Sequence, residues 1–402
     1  MKVLIADKLL PSTQERLVAA GLEVHADASL KGESLDTALD ALQPQVLVVR
    51  STKVPAETLR RGNLGLIIRA GAGVNTIDVT AASAHGIYVA NCPGKNSLAV
   101  AELTLGLLVS LDRRIPDAVA DLRDGRWRKG EYSKARGLAG RRLGIVGAGG
   151  IGMAVARSAR GIGMDVALWN RGEHRRAEVE AAGFRYESDL LALARWSDAV
   201  TVHVAATAET KGLAGAEFFG ALRDGAYFIN TSRASVVDEA ALTAAMARGV
   251  RAAVDVFEGE GSGKEDTIDV PLLAEPNLIA TPHIGASTLQ AQEAVADEVV
   301  HIVTEYVERG RVPNVVNLEV MSPWTHRLLV RHLNRVGVLS AVFAALKGAA
   351  INVLETENIV FGGGEACIAR IYIDRAPSDG VLAGISADCA DILDLSVVER
   401  RD

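Results

Sequence analysis

The sequence predicts an α/β protein: two doubly wound parallel-sheet domains, then a smaller mixed domain at the C-terminal end. Three observations carry this. Short β-rich runs alternate with amphipathic helical stretches in two successive series. A glycine-rich turn at Gly147–Gly152 sits between the first strand and first helix of the second series. Composition then shifts at Gly310–Pro323, where Gly310, Pro313, Asn314, Asn317 and Pro323 read as a linker.

Taken in order, the first series has apolar runs at Val3–Ala6, Gln45–Val49, Leu66–Arg69 and Ile87–Ala90. Helical stretches such as Ser12–Ala20 and Thr37–Leu42 separate them. Ser97–Leu111 is a long helical run, with Asn96 and Ser97 placed to cap it. The second series reads as six strands: Leu143–Val146, Asp165–Trp169, Ala199–Val204, Ala226–Asn230, Ala252–Val256 and Leu278–Ala280. Ala286–Arg309 reads as one long helix, because no Gly or Pro interrupts it. A helix of that length can return the chain to the first domain and make it discontinuous. Beyond the linker the order is strand, helix, strand, strand, helix, strand. The strands are expected at Leu328–Leu333, Ala350–Glu357, Glu365–Asp374 and near Leu395–Val398.

Composition bounds the function. The 402 residues are 49% hydrophobic and 23% charged, the balance of a globular protein. Aromatics are only 4%, which suits buried parallel strands better than an all-β sandwich. A formal charge of -7 offers no electrostatic reason for a nucleic-acid or anionic-membrane partner. An anion site must therefore be a local cluster of Arg and Lys. Cys92, Cys367 and Cys389 are scattered, which suggests neither a disulfide framework nor a metal site. The start, MKVLIADKLL, reads as a strand rather than a signal peptide, and no run approaches the roughly 18 apolar residues of a spanning helix. The expected compartment is the cytoplasm.

Gly147-Ala148-Gly149-Gly150-Ile151-Gly152 follows a strand and opens a helix. In that context each glycine has a mechanical task. Gly147 allows a tight turn, Gly149 lets backbone approach a pyrophosphate, and Gly152 lets the helix pack on the strand. The free N–H groups of the helix's first turn then hold the phosphates. A carboxylate at the end of the next strand would favour NAD through the adenosine ribose hydroxyls. Here that position reads Trp169-Asn170-Arg171, with no acid until Glu173. Asn170 still bonds a ribose hydroxyl, and Arg171 can pair with a 2′-phosphate, so the cofactor is NAD with NADP open.

Three segments follow, each just past a strand: Asn230-Thr231-Ser232-Arg233, Asp255-Val256-Phe257-Glu258-Gly259-Glu260, and Pro282-His283-Ile284-Gly285. Ligands bind at such strand ends in open α/β sheets. Hydride exchange with a 2-hydroxy acid needs a cation for the carboxylate and a group to exchange the hydroxyl proton near neutral pH. Arg and His meet those needs. With these motifs the chain resembles the D-isomer-specific 2-hydroxyacid dehydrogenases over essentially its whole length. The resemblance implies Arg233 on the substrate carboxylate, His283 as acid/base and Glu260 supporting the imidazole, with Glu258 as its rival. It also implies a Rossmann nucleotide-binding domain and a discontinuous flavodoxin-like substrate domain. Asp255 is expected near the nicotinamide amide, and His203, Val204, Thr231 and Gly285 at the cofactor with Gly150 and Ile151. Where Arg usually precedes Ile in the glycine motif, this chain has Gly150.

Val49-Arg50-Ser51-Thr52-Lys53, Arg69-Ala70-Gly71-Ala72-Gly73-Val74-Asn75 and Asn91-Cys92-Pro93-Gly94-Lys95-Asn96-Ser97 resemble loops of the family's phosphoglycerate-oxidising branch. That implies NAD(P)-dependent oxidation of D-3-phosphoglycerate, a step of serine biosynthesis. Substrate contacts would be Arg50, Ser51, Arg69, Ala72, Gly73 and Asn96, with Arg128 or Lys129 as further phosphate candidates. The tail, with His332-Leu333-Asn334-Arg335-Val336-Gly337-Val338-Leu339 and then Ile351-Asn352-Val353, resembles a ferredoxin-like ACT regulatory domain. It implies L-serine as effector, with contacts from His332 and Asn334, and a homodimer or homotetramer. The expected domains are 1–95 and 286–318 for substrate, 96–285 for nucleotide and 324–402 for regulation. Two alternatives stay open: a glyoxylate or hydroxypyruvate reductase, and a non-catalytic NAD(H)-sensing protein of corepressor type. Arg50, Arg69 and the tail count against the first, and the Arg233, Glu260 and His283 set counts against the second.

Overall fold

The computed structural model describes residues 1–261, 267–319 and 321–400. The chain divides into two compact units, Met1–Asn317 and Leu318–Asp402.

The first unit opens with β1 (Lys2–Ile5), α1 (Pro11–Ala19), β2 (Glu23–Ala26), α2 (Glu33–Leu42), β3 (Val46–Val49), β4 (Leu66–Arg69), α3 (Val79–Ala84) and β5 (Tyr88–Asn91). The strands form a parallel sheet in the order β2-β1-β3-β4-β5, the flavodoxin-like order. β1, β3 and β4 are almost wholly buried, as apolar runs covered on both faces must be. β2 is a strand that the apolar pattern does not show. Its sequence, Glu-Val-His-Ala, lies at the sheet edge with no residue fully buried, so it carries little hydrophobic signal.

The chain continues through α4 (Ser97–Arg113), α5 (Ile115–Arg123) and α6 (Lys129–Tyr132). There follow β6 (Arg142–Val146), α7 (Gly150–Gly161), β7 (Asp165–Trp169), α8 (Arg176–Ala181), β8 (Arg185–Tyr186), α9 (Leu190–Trp196) and β9 (Ala199–Val202). The series ends with α10 (Ala216–Ala221), β10 (Tyr227–Asn230), α11 (Glu239–Ala247), β11 (Arg251–Val254) and β12 (Leu278–Ala280). Their order, β12-β11-β10-β9-β6-β7-β8, reverses direction at β6 and β9, as in a Rossmann sheet. This sheet has seven strands where six are expected. The extra one, β8, is two residues at the edge and too short to show a periodicity. A hydrophobic cluster covers each face: Phe218, Phe219 and Phe228 anchor one, and Leu107, Leu111, Ile145 and Ile229 the other. β9 and β11 stop two residues short of the expected ends, which leaves His203, Val204, Asp255 and Val256 in the loops above the sheet.

α12 (Leu289–Arg309) starts three residues later than its sequence suggests, because the Thr288 side chain caps it by accepting from the Ala291 N–H at 3.1 Å. Its Val299, Ile302 and Val303 are buried beside Leu17 of α1, in the core of the five-stranded sheet. The next segment bonds to β5, with the Val316 N–H donating to Val89 O at 2.8 Å.

The second unit contains β13 (His326–Leu333), α13 (Val338–Gly348), β14 (Val353–Val360), β15 (Ala366–Ile373), α14 (Asp379–Asp388) and β16 (Ile392–Glu399). Its antiparallel sheet has the order β14-β15-β13-β16, a ferredoxin-like arrangement. β14 starts at Val353 rather than Ala350, since Ala350 has φ 54° and belongs to the turn that ends α13. Among the described residues no helix is long and apolar enough to cross a membrane.

Candidate active site

The nucleotide turn is built by steric necessity. Gly147 has φ 111°, donates its N–H to Trp169 O at 2.8 Å, and a Cβ there would lie 2.6 Å from His203 O. A Cβ on Gly152 would lie 1.9 Å from Gly147 O, so α7 reaches the turn only through a glycine. Gly149 differs: nothing lies within 4 Å of its built Cβ. The N–H groups of Gly150, Ile151 and Gly152 have no partner among the described residues. Open space above Gly149 and unspent donors at a helix start fit a dinucleotide pyrophosphate.

At the end of β7, the Asn170 Oδ1 accepts weakly from the Ala148 N–H at 3.4 Å. Arg171 meets an acid that spacing did not reveal, Glu209, at 3.1 Å. Hydrogen bonds from Thr207, from its own backbone and from Arg171 push Glu209 down to about 2, so it is ionised. His203 lies buried under the cleft, and burial pushes its imidazole down to about 3, so it is neutral.

The three loops past the strands are internally braced. Asn230 closes its loop, with Oδ1 accepting from the Ser232 N–H at 3.0 Å and Nδ2 donating to Arg233 O at 3.0 Å. Arg233 donates one Nη1 bond to Ser232 O at 2.6 Å, and its Nη2 would be 3.3 Å from a Cβ on Gly73 of the opposing loop. Asp255 is buried and receives the His283 loop. Its Oδ1 accepts from Thr281 Oγ1 at 2.6 Å and the Ile284 N–H at 2.9 Å, and its Oδ2 accepts from the Gly285 N–H at 2.8 Å. The resemblance put Asp255 beside the nicotinamide amide; it lines the cleft, but both its oxygens are bonded to this loop. These bonds hold His283 at φ 52°, a left-handed conformation costly for a residue with a Cβ. His283 Nδ1 lies 3.1 Å from Glu260 Oε1. Glu258 instead gives its N–H to Glu239 Oε1 at 2.6 Å.

On the side of the first sheet, Asp7 organises the rim. It accepts N–H bonds from Arg50 at 2.7 Å, Ser51 at 3.0 Å and Thr52 at 2.9 Å, and a hydroxyl bond from Ser51 at 3.0 Å. Burial opposes its ionisation, but these bonds outweigh it and hold Asp7 below its ordinary value. Arg69, at the end of β4, lies folded over Gly71, whose built Cβ would be 1.8 Å from Nη1. Burial, with Arg233 and Arg50 nearby, lowers its guanidinium from the ordinary value. Among the described residues Arg50, Arg69 and Arg233 have no carboxylate partner, and Arg69 Nε has no hydrogen-bond partner.

Two cavities meet here. One of about 280 Å³ is lined by Arg50, Ser51, Arg69, Gly71, Asn96 and His283. A cleft of about 750 Å³ is lined by Ala72, Gly73, Ile151, Val204, Thr231 and Arg233, together with Asp255, His283 and Gly285. His283 and Asn96 belong to both. Asn96 precedes α4 without capping it through its side chain, contrary to the expected cap, and its buried Oδ1 has no partner among the described residues. Arg128 and Lys129, expected as phosphate candidates, line neither cavity, and Arg128 bonds Asp121 at 3.3 Å instead. In the second unit the His332 ring sits between two oxygens, with Nδ1 2.7 Å from Leu333 O and Nε2 3.2 Å from Asn358 Oδ1. Asn334 Nδ2 donates to Gly364 O at 2.9 Å, and its Oδ1 has no partner among the described residues. Among the described residues no cluster of His, Cys, Asp and Glu could hold a metal ion.

The profile of the D-isomer specific 2-hydroxyacid dehydrogenase NAD binding domain matches residues 105–285. The D-3-phosphoglycerate dehydrogenase of Methanocaldococcus jannaschii is 33% identical over 413 residues, covering 99% of this chain and 76% of that protein. The enzyme of the same name from Archaeoglobus fulgidus is 33% identical, covering 87% of this chain and 66% of that protein. The relative from Bacillus subtilis, at 34% identity, is matched over 60% of its length, so this chain spans about two thirds of its relatives. A solved structure of a protein from Thermus thermophilus superposes with a TM-score of 0.69 at 32% identity, covering 79% of this chain and 100% of that one. With its NAD-binding sheet, its second parallel sheet and these relatives, the chain belongs to the D-isomer-specific 2-hydroxyacid dehydrogenase family.

Proposed function

We propose that the protein oxidises D-3-phosphoglycerate to 3-phosphohydroxypyruvate with NAD. One observation carries this reading: His283 stands where two cavities meet, with Arg233 in the larger and Arg50 and Arg69 in the smaller. A substrate with one anionic group finds a cation in either cavity, whereas a hydroxy acid with a carboxylate and a phosphate fills both. Unpaired arginines in a chain of net charge -7 suit a dianionic ligand.

The chain's own residues then have distinct tasks. Arg233 takes the carboxylate bidentately, helped by the N–H groups of Ala72 and Gly73. Arg50, Ser51 and Arg69 take the phosphate, and the Asn96 Oδ1 accepts from a substrate hydroxyl. Glu260 accepts from His283 Nδ1–H, which leaves Nε2 to receive the hydroxyl proton as the carbonyl forms. NAD, held by the N–H groups of α7 and by the Asn170 end of β7, supplies the hydride acceptor. The Arg171–Glu209 pair places an acid near the ribose end, which supports NAD over NADP.

The second unit acts as an ACT regulatory domain with L-serine as effector, on the support of its ferredoxin-like sheet. Asn334, with a free Oδ1, is the better placed contact, since the His332 ring is engaged. Ile115, Val119, Leu122 and Trp127 are exposed along α5 and just beyond it, which supports a homo-oligomer formed through the nucleotide-binding half. A cytoplasmic location follows from this metabolic role.

The test compares D-3-phosphoglycerate with D-glycerate and hydroxypyruvate. A preference of roughly 100-fold or more in kcat/KM for the phosphorylated acid is expected, and Arg69→Ala should erase most of it. His283→Ala should lower kcat by about 10²-fold or more while NADH still binds. Equal use of the unphosphorylated acids by the wild type would assign the protein to a glyoxylate or hydroxypyruvate reductase.

A further inference from the structure

Beneath the cleft runs a buried chain of hydroxyl and imidazole groups that ends on a residue far from any strand end. Thr104, on α4, donates its hydroxyl proton to Val100 O at 2.8 Å. Its Oγ1 also lies 3.1 Å from Thr231 Oγ1. Thr231 Oγ1 lies 3.5 Å from His203 Nδ1, and His203 Nε2 lies 2.9 Å from Thr201 Oγ1. All four side chains are buried; Thr104 and Thr201 lie away from the cleft, whereas His203 and Thr231 reach its wall.

Only one arrangement of protons satisfies every link. A carbonyl only accepts, so the Thr104 proton is committed to Val100 O. The Thr104 oxygen must therefore accept, and the single Thr231 proton points at it. His203 is neutral and carries one N–H. Were that proton on Nε2, the lone pair on Nδ1 would face the Thr231 oxygen with no proton between them. The arrangement that uses every contact therefore has the proton on Nδ1, directed at Thr231 across 3.5 Å, with Thr201 donating to Nε2. Thr231 then has its donor spent and one lone pair left, and it borders the cleft.

We propose that Thr104 is a positioning residue that turns Thr231 into an acceptor for a hydrogen-bond donor of the dinucleotide. This rests on the reading of the cleft as the NAD site. The matching chemistry is an N–H or O–H group: the carboxamide of the nicotinamide or a ribose hydroxyl. A phosphate or carboxylate oxygen has no proton to offer and is disfavoured at this point.

Calorimetric titration of the full chain with NADH tests this. Thr104→Val keeps the volume but removes the acceptor, so the Thr231 hydroxyl proton is released toward the cleft. NADH affinity is expected to fall about fivefold, the scale of one ordinary hydrogen bond. Thr104→Ser restores the acceptor and should bind within about twofold of wild type. The 3-acetylpyridine analogue, which has a methyl where the carboxamide has its amine, identifies the donor. If the donor is the carboxamide, Thr104→Val leaves analogue binding unchanged; if it is a ribose hydroxyl, both dinucleotides weaken alike. Wild-type affinity in Thr104→Val, or a Thr104→Ser variant as weak as Thr104→Val, overturns the proposal while leaving the cofactor site intact. A wild type that binds no NADH overturns the cofactor reading and this proposal together.

Discussion

At the scale of single residues, Asp7 shows how a carboxylate can serve an anion site without touching the anion. It takes three successive backbone N–H groups of the Arg50–Thr52 loop and so sets where the Arg50 side chain begins. Asp7→Asn replaces a charged acceptor by a neutral one and should cost about 1–2 kcal/mol of stability at pH 7, since the site is only partly buried. The folded-state value of Asp7 lies below its ordinary value near 4, so its contribution is complete above that pH. It is lost as pH falls through the lowered value. Urea unfolding should therefore separate the two proteins at pH 7 and bring them together in strong acid. Equal stability at pH 7 would show that the loop holds itself. None of this was legible in sequence, because Asp7 and its partners are 43 to 45 positions apart. Arg233 and His283, which line the cleft, stand out in the sequence because each sits in a short motif after an obvious strand.

At the scale of elements, the β6–turn–α7 unit separates two roles that the motif merges. Gly152 is required by its own backbone: an added methyl meets Gly147 O, a main-chain atom that cannot swing away. Gly152→Ala should cost roughly 2 kcal/mol or more and weaken NADH binding at least tenfold. Gly149 has φ -76° and open space where its Cβ would be, so the free protein tolerates alanine there. Gly149→Ala should keep its melting temperature within about 2 °C of wild type yet lose NADH affinity, since on the proposed reading the open space receives the pyrophosphate. Thermal unfolding beside an NADH titration checks both. A large stability loss in Gly149→Ala would mean that the space is structural. The motif was readable because glycine's missing Cβ is a local property. The edge strands β2 and β8 were not, because pairing with a neighbouring strand, rather than their own composition, makes them strands.

At the scale of the whole molecule, regulation is the prediction that needs both units of the chain. L-serine is expected to bind the full chain and lower its turnover, with a coupling of about 1–3 kcal/mol, or about 5- to 150-fold in affinity. Asn334→Ala should raise the half-inhibiting serine concentration about tenfold and leave uninhibited kcat unchanged. Calorimetry with serine and steady-state rates across a serine series are the measurements. No heat of binding at millimolar serine would leave the second unit without an effector role. The chain spans only about two thirds of its relatives' length.

Sequence alone determined the type and order of most elements, the α/β class and the linker before the last unit. It also marked the strand-end loops that line the cleft, because periodicity, glycine mechanics and strand-end position are read from neighbours in the chain. Tertiary structure decided the rest. It set Glu260 beside the His283 imidazole, brought Glu209 to Arg171 and seated the His332 ring between Leu333 O and Asn358 Oδ1. It also joined Thr104 to Thr231 across 127 positions and set Arg69 and Arg233 in cavities that share His283. Each of these depends on how sheets and helices stack, and that stacking is set by burial summed over many residues. No spacing rule reports which two side chains it leaves within about 3 Å of each other.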